Sequence, residues 1–233
     1  MMMPGLMTAG QGGKALATTL EGHPAFCYLR GAGASSPTRP HRKTSMKLDR
    51  IYTRSGDDGR TSLGDGGRLP KFHVRVAAYG SVDEANTVIG IALLHVEDAV
   101  VRDVLTRVQN DLFDLGADLC RPEREHRKVE PLRVSERQVT WIEERIDSFN
   151  ATLVPLDSFV LPGGTHAAAH LHHARTVIRR AERYMTEIAY QEPVNPAALR
   201  YANRLSDLLF VLARYVNEQG RADVLWRPGL HRA

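Results

Sequence analysis

Five stretches of the chain set apolar residues at three- and four-residue steps, the spacing of one buried face of an α-helix. Tyr79, Val82, Asn86, Ile89 and Leu93 make such a stripe within residues 76–95. Val101, Val104, Leu105, Val108, Leu112, Leu115 and Leu119 repeat it over 101–119. After a polar, Pro-containing link over 121–134, Ser135 with Gln138 three residues later reads as a capping box. Val139, Ile142, Ile146 and Phe149 continue that third helix. Thr165 can cap a long helix running to about residue 190, with Ala174, Val177, Ala181, Met185 and Ile188 inside. Asn195 caps a fifth helix with Pro196 at its first position. Leu199, Ala202, Leu209, Leu212 and Val216 then lead to Gly220 as a stop.

Long helices, short links and almost no strand alternation predict an all-α fold: a five-helix up-and-down bundle preceded by a Gly-rich loop. Small or apolar residues occupy more than one face in AAAH and LLFVLA. Such faces fit burial between subunits, and a thick single core would give the same pattern.

Residues 1–46 break the picture. They are rich in Gly, Ala, Ser, Thr and Pro and show no sustained period, so they offer little apolar surface to offset ordering entropy. They read as an extension to a domain spanning 47–233: a disordered tail, a basic and hydroxylated transit peptide, or the result of a translation start placed ahead of Met46. A cytoplasmic protein is expected, or a mitochondrial-matrix one if the extension is a transit peptide. The formal charge of +4 resides in this segment, since Lys14, Arg30, Arg39, Arg42 and Lys43 face only Glu21 there. The remainder balances 26 basic against 26 acidic residues. A neutral body argues against nucleic acid as a partner. No apolar run reaches the length of a membrane span. Two cysteines, Cys27 and Cys120, make neither a disulfide framework nor a C-x-x-C pair.

Candidate chemistry begins with the loop TRSGDDGRTSL, residues 53–63. Its glycines allow backbone N–H groups to approach an anion, its hydroxyls add donors, and Lys71 follows within reach. It is not a P-loop, and its acids lack the alternation of a calcium loop. Read alone, it would serve equally as a surface turn. In the fourth helix Arg175, Arg179 and Arg183 recur every four residues on one face. A polyphosphate would relieve their repulsion, and so would acids on a neighbouring helix. Asn203, Arg204 and Asp207 interrupt the apolar fifth helix and suit hydrogen bonds to the arginine-bearing one. Asp83 and Glu84, with Asn86 nearby, could pair its arginines. His166 and His170 have metal-ligand spacing, but Ala167 stands where a zinc protease needs its Glu.

Taken in order, YTRSGDDGRTSL, Arg68 to Lys71, SVDEAN, FVLPGG, H-x-A-R-T-x-x-R-R-A-E-R and N-R-L-S-D-x-L-F resemble the ATP:cob(I)alamin adenosyltransferases of the trimeric helical-bundle type. That family includes the propanediol-utilisation and human mitochondrial enzymes. The resemblance covers residue 47 to the end. It implies transfer of the 5′-deoxyadenosyl group of ATP to cob(I)alamin, with Mg²⁺ accompanying ATP. It further implies a homotrimer with its sites between subunits, an electron donor, and an adenosylcobalamin-dependent enzyme downstream. Thr53, Arg54, Ser55, Gly56, Thr61, Ser62 and Lys71 match its ATP loop. Arg179, Arg180, Ala181, Glu182, Arg183 and Asn203 match the rest of its nucleotide site. Arg175 and Asp83 match an ion pair across the subunit interface. Phe159 matches the aromatic residue that closes the lower face of the corrinoid. Arg54 and Ser55 stand where relatives often carry Lys or Thr, so altered contacts are expected there. Two other readings use the same residues: a nucleotide-hydrolysing enzyme, and a non-catalytic ATP-binding oligomer or cobalamin carrier.

Overall fold

The computed structural model describes residues 52–123 and 130–232. The readings of residues 1–46 and of Cys27 lie outside them. A short antiparallel ribbon, β1 (Arg60–Ser62) with β2 (Arg68–Pro70), leads into α1 (Val74–Leu93), α2 (Ala99–Leu119), α3 (Glu136–Asn150), α4 (His166–Gln191) and α5 (Pro196–Tyr215). A 3₁₀ turn follows at Glu218–Gly220.

The ribbon lies where the sequence shows almost no strand alternation. It pairs Arg60 with Pro70, Thr61 with Leu69 and Ser62 with Arg68. Strands this short carry no readable alternation, and side chains help to hold them. Arg60 Nη2 donates to the Arg68 carbonyl at 2.9 Å, and Arg68 pairs with Asp58 at 2.9 Å.

Local chemistry sets the helix ends. His73 Nδ1 accepts from Arg75 N at 3.1 Å, and Asp98 Oδ1 accepts from Val101 N at 3.0 Å. These caps start α1 and α2 two residues ahead of the expected segments 76–95 and 101–119. The capping box at Ser135 and Gln138 is formed. Thr165 Oγ1 accepts from Ala168 N at 3.1 Å, and Asn195 Oδ1 accepts from Ala197 N at 3.0 Å. The fifth helix stops at Tyr215 rather than at Gly220. Gly220, at φ +86°, instead ends the 3₁₀ turn, a conformation that suits glycine.

The helices pack with α1 against α4, α4 against α5, α5 against α3 and α1 against α2. Gln138 of α3 closes the circuit by donating to Asp111 and Asp114 of α2 at 3.0 and 3.1 Å. Inside lie Tyr79, Ile89, Leu105, Leu112, Leu115, Ile142, Leu171, Ile178, Met185, Ile188 and Tyr201, all essentially inaccessible. Non-directional burial of this kind supplies most of the bundle's cohesion.

Buried polar groups fix the register. Arg75 of α1 donates to the Leu119 carbonyl at 2.6 Å and pairs with Glu192 past the end of α4 at 2.7 Å. Asp118 accepts from Arg133 at 2.6 Å, Val134 N at 2.9 Å and Asn195 Nδ2 at 2.7 Å. Such charges hold their place only because they are paired.

Contacts also give the helix directions. Arg75 meets Glu192, Glu84 meets Arg180, and the His95 ring lies 5.2 Å from that of His166. Helices α1 and α4 are therefore antiparallel. The ribbon enters the bundle at the Glu192 end, and the FVLPGG segment enters α4 at the opposite end. Helix α4 has 26 residues, so these ends are separated by about 39 Å of helix at ~1.5 Å per residue.

Candidate active site

All seven expected loop residues, Thr53, Arg54, Ser55, Gly56, Thr61, Ser62 and Lys71, line one hollow of about 200 Å³. Arg68 braces the loop, donating to the Ser55 carbonyl at 2.6 Å while pairing with Asp58. Asp58 also accepts from Arg60 N at 3.0 Å, and that bond leads the effects holding its pKa below the ordinary carboxylate value. Arg54 takes φ 60° and Gly59 φ 77° where the loop turns. Lys71 N donates to the Gly59 carbonyl at 2.9 Å, and its side chain crosses Gly56. A Cβ on Gly56 would lie 3.1 Å from Lys71 Nζ, so glycine lets the ammonium approach the backbone. The Thr61 side-chain oxygen is buried and has no hydrogen-bond partner among the described residues. An unsatisfied hydroxyl in a polar hollow is what an oxygen-rich ligand would satisfy.

The arginine row lies on α4. Arg179 and Arg183 are exposed, and among the described residues neither makes an ion pair. Arg183 Nη1 donates to the Arg179 carbonyl at 3.3 Å. Arg180 is instead committed to Glu84. Glu182 accepts from Asn203 Nδ2 at 2.9 Å. Asn203 Oδ1 accepts from Arg204, whose Nε reaches Glu143 at 3.0 Å. The polar interruption of α5 thus ties it to α4 and α3. Ala181 is fully buried, so its side chain belongs to the core and only its backbone remains for a ligand. Arg175 is half-buried above the Phe210 ring at 6.0 Å. Among the described residues its Nε has no hydrogen-bond partner. Burial first, then Arg179, pulls its pKa below the usual guanidinium value. Asp83 is exposed on α1 beside Thr87, Gln109 and Phe113 and makes no ion pair with Arg175 within one chain.

Phe159 is 76% exposed. Its ring lies 5.9 Å from that of Trp226, and its segment runs beside the C-terminal tail. His166 and His170 both stack on His95, at 5.2 and 5.7 Å. Among the described residues no group of three or more His, Cys, Asp or Glu side chains is placed to hold a metal ion.

The chain thus gathers the loop residues in one place and the α4 and α5 residues in another. Among the described residues no hydrogen bond or ion pair joins them. Glu84, which meets Arg180, lies ten residues beyond Val74, about 15 Å along α1. Sequence reasoning marked Arg68 only as the start of the Arg68-to-Lys71 block, and it missed Trp226 and the buried pair Arg214–Asp223, because nothing local marks the tail's pairing.

This architecture, a helical bundle with a polar, Gly-bearing loop outside the bundle proper, defines a class of helical proteins. Within it, the chain belongs to the cobalamin adenosyltransferase family, whose model matches residues 51–216. It is 50% identical over 188 residues to the corrinoid adenosyltransferase of Mycobacterium tuberculosis, covering 79% of this chain and 96% of the relative. It is 41% identical over 182 residues to that of Bacillus subtilis, covering 75% and 91%. Its fold is similar to that of a variant PduO-type ATP:corrinoid adenosyltransferase from Lactobacillus reuteri complexed with cobalamin and ATP. The TM-score is 0.71 and the identity 38%, over 76% of this chain and 99% of the other.

Proposed function

We propose that this protein transfers the 5′-deoxyadenosyl group of ATP to the cobalt of cob(I)alamin, forming adenosylcobalamin and triphosphate. The observation that carries the reading is the convergence of Thr53, Arg54, Ser55, Gly56, Thr61, Ser62 and Lys71 on one hollow in a chain of this family. The relatives are named for the same activity, and the Lactobacillus reuteri protein holds both substrates.

The loop is half of a nucleotide site, and Arg179, Arg183 and Asn203 of a neighbouring copy complete it. The distance between the two sets along one chain favours this arrangement. So do the uncompensated charges of Arg179 and Arg183 and the exposed Asp83, free to face Arg175 of another copy. A homotrimer with three such interfaces is the assembly we infer. Mg²⁺ enters as part of the nucleotide substrate. With no protein cluster among the described residues to hold it, its ligands would be chiefly phosphate oxygens. Phe159 shields the lower face of the corrinoid and keeps a fifth ligand off cobalt. This makes Co(II) easier to reduce by an external electron donor. Co(I) then attacks C5′ of ATP. The Co–C5′ bond forms as the C5′–O bond breaks, cobalt supplies both electrons, and triphosphate leaves. Lys71 and the arginines stabilise the charge that grows on the leaving group. Holding the two substrates together lowers the entropic part of the barrier. No proton transfer is needed, which suits a site of arginines and hydroxyls.

Among the described residues no helix is long and apolar enough to cross a membrane. A cytoplasmic setting, where an adenosylcobalamin-dependent enzyme takes up the product, fits the reading. The test is anaerobic incubation with cobalamin, a strong reductant and Mg-ATP while the corrinoid spectrum is followed. A light-sensitive alkylcobalamin and stoichiometric triphosphate are expected. ADP and phosphate would point instead to hydrolysis, and binding without turnover to a carrier. Phe159→Ala should lose activity severely with cob(II)alamin and far less with supplied cob(I)alamin.

A further inference from the structure

Phe159 sits on a segment that the bundle core does not hold. Among the described residues the hydrogen bonds of residues 158–161 go to the C-terminal tail. Ser158 Oγ donates to the Trp226 carbonyl at 2.7 Å. Trp226 N donates to the Phe159 carbonyl at 2.7 Å, and Leu161 N to the Val224 carbonyl at 2.8 Å. Val160 and Leu225 pair as an antiparallel bridge. The tail is thus a second strand laid along the Phe159 segment, with the Trp226 ring against the Phe159 ring at an angle of 54°.

The tail has a rigid root. Asp223 Oδ2 accepts from Arg214 Nε at 2.7 Å, and Oδ1 accepts from Asn217 Nδ2 at 2.9 Å. Both members of the Arg214–Asp223 pair are almost fully buried. A paired charge in such surroundings is costly to separate, because either partner would be left unpaired. Arg214 Nη2 also donates to the Val154 carbonyl at 2.6 Å. Asn217 Oδ1 accepts from Thr165 N at 3.3 Å, and Gly164, at φ +94°, passes so close that a Cβ would lie 2.3 Å from that oxygen. The root therefore fastens both flanks of the segment, while residues 224–226 fasten its middle. Beside this paired segment and tail lies an open hollow of about 1240 Å³ lined by the tail and by Asp157, Ser158 and Leu161.

We infer that Trp226 is a positioning residue for Phe159, and that residues 223–226 form a strap holding the Phe159 ring at the corrinoid's lower face. The inference rests on the proposed role of Phe159. Trp226 acts on the ring directly by contact and on its backbone through a main-chain N–H. An exposed aromatic ring on a loop has several rotamers within thermal reach. A shield that must exclude a ligand from cobalt has to be confined to one of them, and the strap supplies that confinement. A misplacement of about 1 Å can cost on the order of 100-fold in rate.

The experiment uses the full chain and compares Trp226→Ala, Trp226→Phe, Trp226→Pro, Phe159→Ala and the double variant Trp226→Ala/Phe159→Ala. Each is assayed with cob(II)alamin reduced on the enzyme and with supplied cob(I)alamin. The four-coordinate fraction of bound cob(II)alamin is read by electron paramagnetic resonance. Trp226→Ala should lower the cob(II)alamin rate roughly tenfold and the four-coordinate signal with it, the cob(I)alamin rate and the KM for ATP staying within about twofold. Trp226→Phe should restore most of both. Trp226→Pro also removes the N–H donor and should fall below Trp226→Ala. The double variant should be no worse than Phe159→Ala, since residues acting through one another are not additive. A wild-type signal in Trp226→Ala, or losses that multiply in the double variant, would overturn the strap while leaving Phe159 its role. Should Phe159→Ala itself keep full cob(II)alamin activity, the shielding role falls and the strap with it. If Trp226→Ala loses the cob(I)alamin rate and its thermal midpoint equally, Trp226 is merely structural and the inference is overturned.

Discussion

His172 shows how a single residue can be read correctly as helical and still hide its physics. It lies in a run of four histidines within eight residues of α4. His166 and His170 do meet His95 at the bundle end. His172 is instead 3% exposed, its ring 6.1 Å from Phe210 and its Nδ1 without a hydrogen-bond partner among the described residues. Burial first, then the nearby Arg175 charge, lowers its pKa from the ordinary 6.5, with Asp223 opposing weakly. The native state therefore binds fewer protons than the unfolded chain just below pH 6.5. Stability falls as the pH drops through that value and levels only below the depressed native pKa. His172→Leu should flatten this slope. Thermal unfolding between pH 7.5 and 5.5 should show the wild-type midpoint falling a few degrees further than that of the variant, the scale of about 1 kcal/mol in a domain of this size. Parallel curves would contradict the assignment. Sequence alone cannot separate His172 from His173, because one register step decides which ring enters the core.

At the scale of elements, what the sequence made legible was mostly local. The Ser135–Gln138 box, the Thr165 cap and the Asn195–Pro196 start all form where their residue types require, because each satisfies N–H groups within its own first turn. The ribbon, the buried Arg75 and the tail were not legible, since each depends on partners from about eight to more than a hundred residues away. Asn195 belongs to both kinds. It caps α5 and also donates to Asp118 at 2.7 Å and to the Val134 carbonyl at 2.8 Å. It thereby locks the end of α2 and the start of α3 to α5. Asn195→Ala should thus cost more than a cap alone, about 2–3 kcal/mol against about 1 for an ordinary cap such as Ser135→Ala. Urea unfolding of the two variants measures the difference. Equal losses would mean that the bonds to Asp118 and Val134 contribute nothing beyond the cap.

For the whole molecule, the geometry of one chain argues for its assembly. The loop lies at the Glu192 end of α4, the arginine row lies near mid-helix, and Phe159 lies beyond the opposite end. A bundle this rigid cannot bring these three together within a single copy, whereas ATP and the corrinoid must meet at bonding distance. In the assembly proposed above, head-to-tail association in a closed ring would place the loop of each copy against α4 of the next. Complementation between two defective chains tests this. Lys71→Gln disables the loop and leaves the arginines intact, and Arg179→Gln does the reverse. Each variant alone should lose most of its activity, since under the proposed mechanism each removes a charge set against the leaving triphosphate. When the two are mixed by co-expression or by dissociation and reassembly, random pairing gives roughly a quarter of the interfaces an intact loop and an intact arginine row. Activity should rise to about that fraction of wild type. If both halves of the site came from one chain, every site in the mixture would keep one defect and mixing would restore nothing. The double variant Lys71→Gln/Arg179→Gln mixed with wild type supplies the converse control. Under shared sites roughly a quarter of the interfaces remain intact, whereas sites within single chains would retain about half.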